Sequence, residues 1–524
     1  MVSLRLAIAL LFLMAAFLPA QTSTGEIDIT VQDPTGAVIP KADIAITGSQ
    51  TGNQVRTLAT NGSGLAAAPL LQPGAYDIAV SVTGFEKLLR RGIVLHVGDV
   101  FTLRLTLTPG STTEQVTVVG QTPLLEEKSN TLGQVMETRQ IVQLPLNGRN
   151  YLDLGRLAAG AIPSQGSRDN TFSAYGNGGL QNAFLLDGAR NENYLRGLDN
   201  RARDMLRPPL DAISEFQVQT SNYSAEFGAS AGAVVSAITK NGTNQIHGSA
   251  YDFLRNDQLD AEDFFAKTNK PLLVQNQFGA SAGGPIVKDR AWIFGAYEGT
   301  HIRSEAAGLA TVPTAAMAQG NFGSTAIFDP LSTVQNPKGS GYTRTQFPGN
   351  AIPASRFDKI GAQLLGYYPL PNQAGAVNNY AANVPQIQDN HNMVVRGDLQ
   401  ISSKDSIFVR GSVTRFTQNV NTTLPAPAQD PVARTIPSQG IGVGYTRTFT
   451  ATLVNELRFS WTRLTINNDE ITPLDEIVAG TLDPAIKHGT PSFNVTGFAA
   501  IGAQPGCCGN SPLVKSSGVW DISD

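Results

Sequence analysis

The sequence predicts a mainly β protein: an N-terminal β-sandwich, then an α+β domain, then the first part of an antiparallel transmembrane β-barrel. Short segments near the N-terminus alternate apolar and polar residues, as half-buried strands do. From His247 onward the alternating segments become longer, and one face carries charged residues. After the first twenty residues no apolar run reaches the ~18 residues of a transmembrane helix, so membrane insertion would require a closed β-barrel.

Length, charge and cysteine content exclude several classes of protein. The chain has 524 residues, too many for one ordinary domain, and its formal net charge of −4 argues against nucleic-acid binding. Its two cysteines, Cys507 and Cys508, are adjacent, which disfavours a disulfide-rich scaffold and a structural zinc site. The sequence predicts neither a metal nor a cofactor.

The N-terminus has the pattern of a secretory signal peptide, predicted as residues 1–20. Arg5 precedes an uncharged apolar stretch from Leu6 to Leu18, and Pro19 and Ala20 lead into polar sequence. The chain is therefore expected to be exported, with cleavage near Ala20. A buried N-terminal helix is the alternative interpretation.

Residues 21–110 are predicted to form a small β-sandwich. Apolar residues at every second position mark three strands, with the sets Ile27, Ile29 and Val31; Tyr76, Ile78 and Val80; and Phe101, Leu103 and Leu105. Turn-forming clusters at 33–36, 61–64 and 72–74 separate such segments. Short strands at this spacing are typical of a two-sheet sandwich.

The order of these turns and strands resembles the carboxypeptidase regulatory-like domain, a carbohydrate-binding-like sandwich. The matching segments are Asp33 to Pro40, the Gly64 turn, Pro73 to Tyr76, and Gly84-Phe85. The family module is not a peptidase, so the resemblance implies an accessory or docking role. His96 has no second metal ligand near it in the sequence and is expected to be a surface residue.

A predicted linker over residues 111–123 contains one short extended run, Glu114-Gln115-Val116-Thr117-Val118-Val119. A run of this kind between flexible residues can add as a strand to the sheet edge of a partner protein. It can equally be the last strand of the sandwich. The sequence leaves both interpretations open.

Residues 124–244 carry a series of motifs in a defined order. They are the segments 144–151 (LPLNGRNY), 182–188 (NAFLLDG), 212–218 (AISEFQV), 223–228 (YSAEFG) and 233–244 (AVVSAITKNGTN). In this order they resemble the plug domain of TonB-dependent outer-membrane receptors, specifically the Oar-like group. The resemblance covers most of the chain and is more specific than any single motif.

The resemblance implies roles for two sets of residues. Glu114, Gln115, Val116, Thr117, Val118 and Val119 would be the TonB box, the segment that TonB, with its inner-membrane energising complex, grips in the periplasm. Asn147, Gly148, Arg149, Asn150, Asp187 and Gly188 would be plug architecture rather than catalytic residues. Their polar side chains suit a plug that lies against a polar barrel lumen.

Residues 245–524 are predicted to be the N-terminal part of the barrel. Met393, Val395 and Leu399 share one face of a strand, and Arg396 and Asp398 share the other. Strands of ~10 residues with this pattern suit a wall between lipid and water, whereas strands of a soluble β-sandwich array, the alternative, are shorter. Only seven or eight strands can be counted, against ~22 in plugged transporters, so the chain is expected to be a portion of a longer protein.

The predicted connections differ in length on the two sides of this wall. Short turns such as Ser402 to Asp405 alternate with about ninety residues between Ile302 and Asn392 and some twenty between Phe416 and Ser438. Outer-membrane barrels have short periplasmic turns and longer extracellular loops. The longer connections are therefore expected on the outside of the cell.

Two G-x-S-x-G segments, 228–232 and 279–283, invite a hydrolase interpretation. Neither precedes the helical pattern that a nucleophile elbow requires. The five histidines form no HExxH motif and no close pair. The sequence therefore predicts no catalytic residues and no enzyme.

Together these features predict an outer-membrane receptor, with its N-terminal domain in the periplasm, that imports an extracellular ligand through a plugged β-barrel energised by TonB. The alternative is a non-transporting outer-membrane adhesin or surface scaffold on the same barrel. A secreted hydrolase is a weaker third interpretation. The predicted partners are TonB, outer-membrane lipid and an extracellular ligand whose identity the sequence does not indicate.

Overall fold

A computed structural model describes residues 24–110, 115–119, 132–144, 146, 148–163, 172–193, 204–223, 227–228, 230–262, 264, 270–429, 431–450, 453–470, 492–502 and 513–523. The predicted signal peptide lies outside the described residues, as do most of the predicted linker and both cysteines. Strands dominate the described chain.

The first eight strands form the sandwich, and we use that name for residues 24–119. They are β1 Gly25–Gln32, β2 Asp43–Gly48, β3 Gln54–Ala59, β4 Leu65–Leu71, β5 Gly74–Ser81, β6 Lys87–Leu95, β7 Val100–Thr106 and β8 Gln115–Val119. One sheet has the order β4-β1-β7 and the other β3-β2-β5-β6-β8. The alternating residues predicted to face inward, among them Ile27, Ile29 and Ile78, are fully buried between the sheets.

A turn that the sequence predicts after β1 shows why the chain reverses there. The Asp33 carboxylate accepts hydrogen bonds from the backbone N–H of Thr35 (2.8 Å) and of Ala37 (3.0 Å). Gly36 lies in the left-handed region, with φ 87°, which glycine adopts without strain. This local pattern is set by residue type alone, and it directs the chain into the second sheet.

Residues 132–240 form a second unit, which we call the middle segment. Its strands are β9 Leu132–Glu137, β10 Ala161–Pro163, β11 Phe172–Ala174, β12 Ala183–Leu186, β13 Ala189–Arg190, β14 Ile213–Ser221 and β15 Val234–Thr239; its helices are α1 Thr138–Gln143 and the 3-10 helices Tyr151–Leu157, Gly179–Gln181 and Leu210–Ala212. The main sheet has the order β13-β12-β15-β14-β9. Strands β12 and β15 are buried along their whole length, which explains their nearly continuous apolar sequence.

Eight long antiparallel strands follow, and we call their sheet the wall. They are β16 His247–Asn256, β17 Leu273–Val287, β18 Ala291–Ala310, β21 Tyr380–Ser402, β22 Asp405–Val420, β23 Val432–Thr450, β24 Leu453–Glu470 and β25 Leu513–Ser523. Each pairs with its neighbours in this order. The connection between β18 and β21 contains α2 Ala315–Ala318, β19 Val334–Gln335, β20 Tyr342–Thr343 and α3 Lys359–Leu365, and 3-10 turns lie at Asp257–Leu259, Pro330–Ser332, Pro348–Asn350 and Ala354–Arg356.

None of the helices in the described ranges is long and apolar enough to cross a membrane.

The wall exposes its apolar face and buries its polar face, which is the reverse of a sheet in a soluble protein. On β21 the outward side chains of Met393 and Leu399 are 51% and 39% exposed, while inward Asn392 and Arg396 are only 3% and 5% exposed. An apolar face left outside and a polar face buried inside is the pattern of a strand that faces lipid. The inward face of the wall contacts the middle segment, where Arg396 donates to the Thr239 carbonyl oxygen and Arg410 donates to Asp187.

The connections of the wall differ in length at its two ends. Residues 288–290 join β17 to β18, and residues 403–404 join β21 to β22. The opposite end carries the connections 311–379 and 421–431, both shorter than expected because the flanking strands extend beyond their predicted ends. The sandwich packs against the short-turn end, through contacts described below.

Candidate functional site

The turn Asp187-Gly188 projects from the middle segment toward the wall. It joins β12 to β13 as a two-residue hairpin, with Leu186 paired to Ala189. Both turn residues have positive φ, 50° for Asp187 and 79° for Gly188, the geometry in which Asp-Gly is a preferred pair. The local sequence therefore determines the turn that carries the Asp187 carboxylate.

Asp187 is held by groups from four separate strands. Its carboxylate accepts hydrogen bonds from the Thr239 backbone N–H (2.8 Å) and from the Thr239 hydroxyl (2.9 Å). The Arg410 guanidinium on β22 lies 2.6 Å from Oδ2, and that of Arg396 on β21 lies 3.4 Å from Oδ1. Arg458 on β24 donates to the Asp187 carbonyl oxygen at 3.4 Å. We call this arrangement the Asp187 centre.

Charges in the Asp187 centre are balanced. Arg396 also pairs with Asp398 at 2.8 Å, and Arg458 pairs with Glu456 at 2.9 Å. Burial alone would raise the pKa of the Asp187 carboxyl, but the Arg410 and Arg396 guanidiniums together hold that pKa below its usual value. Asp187 is therefore ionised, and it links the middle segment to the wall through buried charge.

A second buried charge cluster surrounds Arg149. Its guanidinium pairs with Asp211 of the middle segment and, at 3.2 Å, with Glu298 of β18. The guanidinium lies 4.2 Å from the ring centroid of Tyr251 on β16, whose hydroxyl donates to Glu298 at 2.7 Å. We call these four residues the Arg149 cluster. It is a second attachment of the middle segment to the inward face of the wall.

The neighbours of Arg149 shape the chain around it. The Asn150 side chain accepts from the Leu152 backbone N–H at 3.2 Å and caps the 3-10 helix Tyr151–Leu157. Gly148, with φ 79°, offers its carbonyl oxygen to Gln277 of β17 at 3.3 Å. Asn147 lies outside the described residues. The predicted role of this motif as plug architecture stays a prediction.

The TonB-box-like run occupies the edge of a sandwich sheet. Gln115, Val116, Thr117, Val118 and Val119 form β8, which pairs in parallel with residues 87–91 of β6. β8 is the last strand in the order of its sheet, and Val116 is 41% exposed. Glu114 lies outside the described residues. The arrangement is the sandwich-strand alternative, and among the described strands β6 is the one that pairs with β8.

His96 is not the surface residue that the sequence predicts. It follows β6 directly and lies at the contact between the sandwich and the middle segment, where its Nδ1 is 3.1 Å from a carboxylate oxygen of Glu215. The other Glu215 oxygen accepts from the Val97 backbone N–H at 2.8 Å, and Gln217 donates to the Val97 carbonyl at 2.9 Å. Because its partner lies 119 residues away in sequence, no local pattern could reveal this contact.

We expect the contact between the sandwich and the middle segment to weaken as the pH rises. The hydrogen bond to Glu215 raises the pKa of His96 despite partial burial, so the stabilisation is complete below the ordinary histidine value of about 6.5. It is lost as the pH rises through the raised pKa. Hydrogen exchange of the Val97 backbone amide should therefore accelerate above the pKa of His96 by more than the intrinsic pH dependence of exchange.

A His96→Gln variant provides the control for this prediction. The amide side chain does not titrate, so the excess acceleration at Val97 should disappear while exchange within β1 stays the same in both proteins. An equal pH response in the variant and the wild type would contradict a role for His96.

The sandwich also contacts the short-turn end of the wall. Gln72 donates to Glu456 at 3.0 Å, Asn53 donates to Gln400 at 2.8 Å, and Arg56 donates to Thr448 at 2.8 Å. A cavity of about 970 Å³ lies between the sandwich, the middle segment and the wall. Glu456 thus joins the sandwich to the Asp187 centre through Arg458.

The serines of the two G-x-S-x-G segments have structural hydrogen bonds. Ser230 donates to the carbonyl oxygen of Gln181 at 2.9 Å, and Ser281 lies on β17 with its hydroxyl 2.9 Å from that of Ser249. Within the described part of the chain, no group of three or more His, Cys, Asp or Glu side chains is placed to hold a metal ion.

The sequence does not mark several residues of these clusters as functional. Alternation places Arg396, Arg410, Glu456 and Arg458 on polar faces of their strands, but it does not indicate what those faces contact. Glu298 also lies inside an alternating strand. The available signal for such residues is a charged residue near the middle of a long strand that alternates apolar and polar residues.

Comparison with known families and proteins gives two family matches and one curated relative. Residues 238–524 match the family described as "Outer membrane beta barrel domain", and residues 26–108 match the "Carboxypeptidase regulatory-like domain". The chain is 27% identical over 308 residues to the "TonB-dependent transporter Oar" of Myxococcus xanthus, an alignment that covers 56% of this chain and 28% of that protein. The chain thus spans well under half the length of this relative.

Solved structures with a similar arrangement share little sequence with the chain. The outer membrane transporter YddB from Escherichia coli aligns with a TM-score of 0.46 and 12% identity, over 75% of this chain and 44% of that one. The siderophore receptor PirA from Acinetobacter baumannii aligns with a TM-score of 0.35 and 13% identity, over 66% of this chain and 46% of that one.

Proposed function

The chain belongs to the outer membrane β-barrel domain family, and we propose that it acts as a TonB-dependent receptor that binds an extracellular ligand and imports it through the barrel. Its location is the outer membrane. The predicted fold class is confirmed, and so is the predicted resemblance to TonB-dependent receptors with an N-terminal carboxypeptidase regulatory-like domain.

The Asp187 centre is the observation that carries this proposal. A folded segment held against the inward face of a lipid-facing wall occupies the place of a plug. Its attachment there is ionic and hydrogen-bonded rather than purely apolar. Charge pairs can be exchanged for water when the segment moves, whereas separating an apolar interface would expose hydrophobic surface to the lumen. In this proposal the middle segment is the plug.

The position of β8 suggests how a partner would act on the plug. TonB would pair as a strand with β8, which is the last strand in the order of its sheet, and would pull on the segment Glu114–Val119. β8 pairs with β6, and β6 leads directly to the contacts of His96 and Val97 with Glu215 on β14. Force on β8 would therefore reach the sandwich and the plug together. The sandwich would lie in the periplasm, at the short-turn end of the wall.

Binding of a TonB periplasmic domain to the purified chain tests this proposal. The wild type should bind it saturably, and deletion of Glu114–Val119 should abolish that binding because the augmenting strand is gone. Deletion of residues 336–341, the equally long turn between β19 and β20 on the long-loop side, is the matched control and should leave binding unchanged.

The result also separates the proposed receptor from the rival function. Absence of binding to the wild type would contradict the receptor proposal and favour a non-transporting adhesin or scaffold. Equal binding by the wild type and the Glu114–Val119 deletion would contradict the assignment of the TonB box. The named relatives are transporters and receptors, which accords with a protein that is not an enzyme.

A further inference from the structure

The outward face of the wall changes from apolar to basic residues toward the long-loop end. On β18 the outward residue Tyr297 is followed by His301 and Arg303. On β21 and β22 the exposed residues Met393 and Val413 are followed, in the same direction, by His391 and Arg415. The change occurs on three adjacent strands, so the basic residues lie side by side on the outer surface.

These residues form one contiguous group, which we call the outer cluster: Phe278, Tyr297, His301, Arg303, Asp389, His391 and Arg415. The rings of His301 and His391 are 5.4 Å apart, and Phe278 stacks on His301 at 5.6 Å. The Tyr297 hydroxyl lies 2.8 Å from Nδ1 of His391. The aromatic rings thus connect the basic side chains into a single surface.

The positive charge of the outer cluster exceeds its negative charge. Asp389 is the acid of the group, and it pairs with both His301 (2.6 Å) and Arg303 (2.9 Å). Arg415 is exposed, and within the described part of the chain no carboxylate pairs with it. Arg415 lies directly opposite His391 in the antiparallel ladder, where side chains start about 5 Å apart. Arg415 and His391 are therefore available as hydrogen-bond donors beside the aromatic surface.

The position of the outer cluster corresponds to a membrane border. Eight residues separate outward Ile293, near the short turn, from His301. At ~3.3 Å per residue and a tilt of ~40°, that separation is about 20 Å along the barrel axis, close to the ~25 Å apolar band of outer-membrane barrels. The outer cluster thus lies where hydrocarbon meets headgroups, at the long-loop end, which is the outer leaflet.

We propose that the outer cluster binds a phosphate group of a phosphorylated glycolipid in the outer leaflet. Arg415 and His391 would donate hydrogen bonds to the phosphate oxygens, since guanidinium and phosphate form strong charge-assisted pairs. Phe278 and Tyr297, which border the apolar band, would contact the acyl chains. The site faces lipid on the outside of the wall and does not depend on TonB or on transport.

Binding of phosphorylated lipid A to the purified chain in a non-ionic detergent tests the proposal. The wild type should bind bisphosphorylated lipid A at least about tenfold more tightly than its dephosphorylated form, and the R415Q/H391Q variant should lose that difference. The matched control is R463Q, which removes an outward cation of β24 that is bonded to Ser516, and it should bind within about twofold of the wild type.

Three outcomes would overturn the proposal. Equal affinity of the wild type for the two lipids would exclude phosphate recognition, and unchanged binding by R415Q/H391Q would exclude this cluster. Competition by inorganic phosphate at an affinity equal to that of lipid A would assign the site to free phosphate rather than to a lipid. Native folding of each variant is checked by its circular dichroism and tryptophan fluorescence, so loss of binding in a folded variant is informative.

Discussion

An Asp187→Asn variant should unfold at markedly lower denaturant concentration, with a loss of about 3–5 kcal/mol in the free energy of unfolding. The substitution keeps the shape of the side chain but removes the negative charge between Arg396 and Arg410, which stay buried at 5% and 2% exposure. Two guanidiniums without their shared carboxylate carry a large desolvation cost. Equilibrium unfolding of the purified chain, followed by tryptophan fluorescence, measures the change.

Asp329→Asn is the matched control for this variant. Asp329 likewise receives two guanidinium hydrogen bonds, both from Arg356, at 2.7 and 3.0 Å. This pair lies on the long connection between β18 and β21 and is more exposed than the Asp187 centre, at 37% for Arg356 and 18% for Asp329. Exposed pairs contribute at most about 1 kcal/mol. Losses of similar size in the two variants would show that burial of the Asp187 centre does not contribute to stability.

An Arg149→Gln variant should lose about 3 kcal/mol, because Asp211 and Glu298 then remain buried without a counter-charge. Adding Glu298→Gln to this variant should recover part of the loss, since one of the two unpaired charges is removed. The loss of unfolding free energy in the double variant should therefore be smaller than the sum of the two single losses by at least about 1 kcal/mol. The free energies of unfolding of the wild type, the two single variants and the double variant form the double-mutant cycle that measures this interaction.

The control for Arg149 is Arg447→Gln on β23. Arg447 pairs with Asp405 at 3.0 Å and lies 5.1 Å from the ring centroid of Phe449, so its partners are of the same kind as those of Arg149. Its side chain is 46% exposed, so we expect a loss below about 1 kcal/mol. Additive effects of Arg149→Gln and Glu298→Gln would contradict a direct interaction between the two residues.

These contacts form one continuous path from the sandwich to the middle segment and the wall. Gln72 of the sandwich bonds Glu456, Glu456 pairs with Arg458, and Arg458 donates to Asp187. A displacement of the sandwich would therefore disturb the Asp187 centre directly. In the proposed receptor this path complements the route through His96 and Glu215.

Much of the fold is predictable because the relevant signals are local. Strand alternation has a period of two residues, so Ile27 and Ile29, or Met393 and Arg396, can be assigned to faces from their neighbours alone. Turns such as Asp187-Gly188 depend on the backbone preferences of two residues. The lengths of strands and loops were less predictable, because pairing with a neighbour extends a strand beyond its alternating sequence.

The sequence by itself determined the kind of protein: the sandwich, the motif order of the middle segment, and a wall that is apolar outside and polar inside. Only the tertiary structure decided which polar groups meet. It places Asp187 between Arg396 and Arg410, more than 200 residues away, pairs His96 with Glu215, and adds β8 to the sandwich sheet. The physical reason is that patterning reports burial, whereas the partner of a buried charge depends on how distant segments pack.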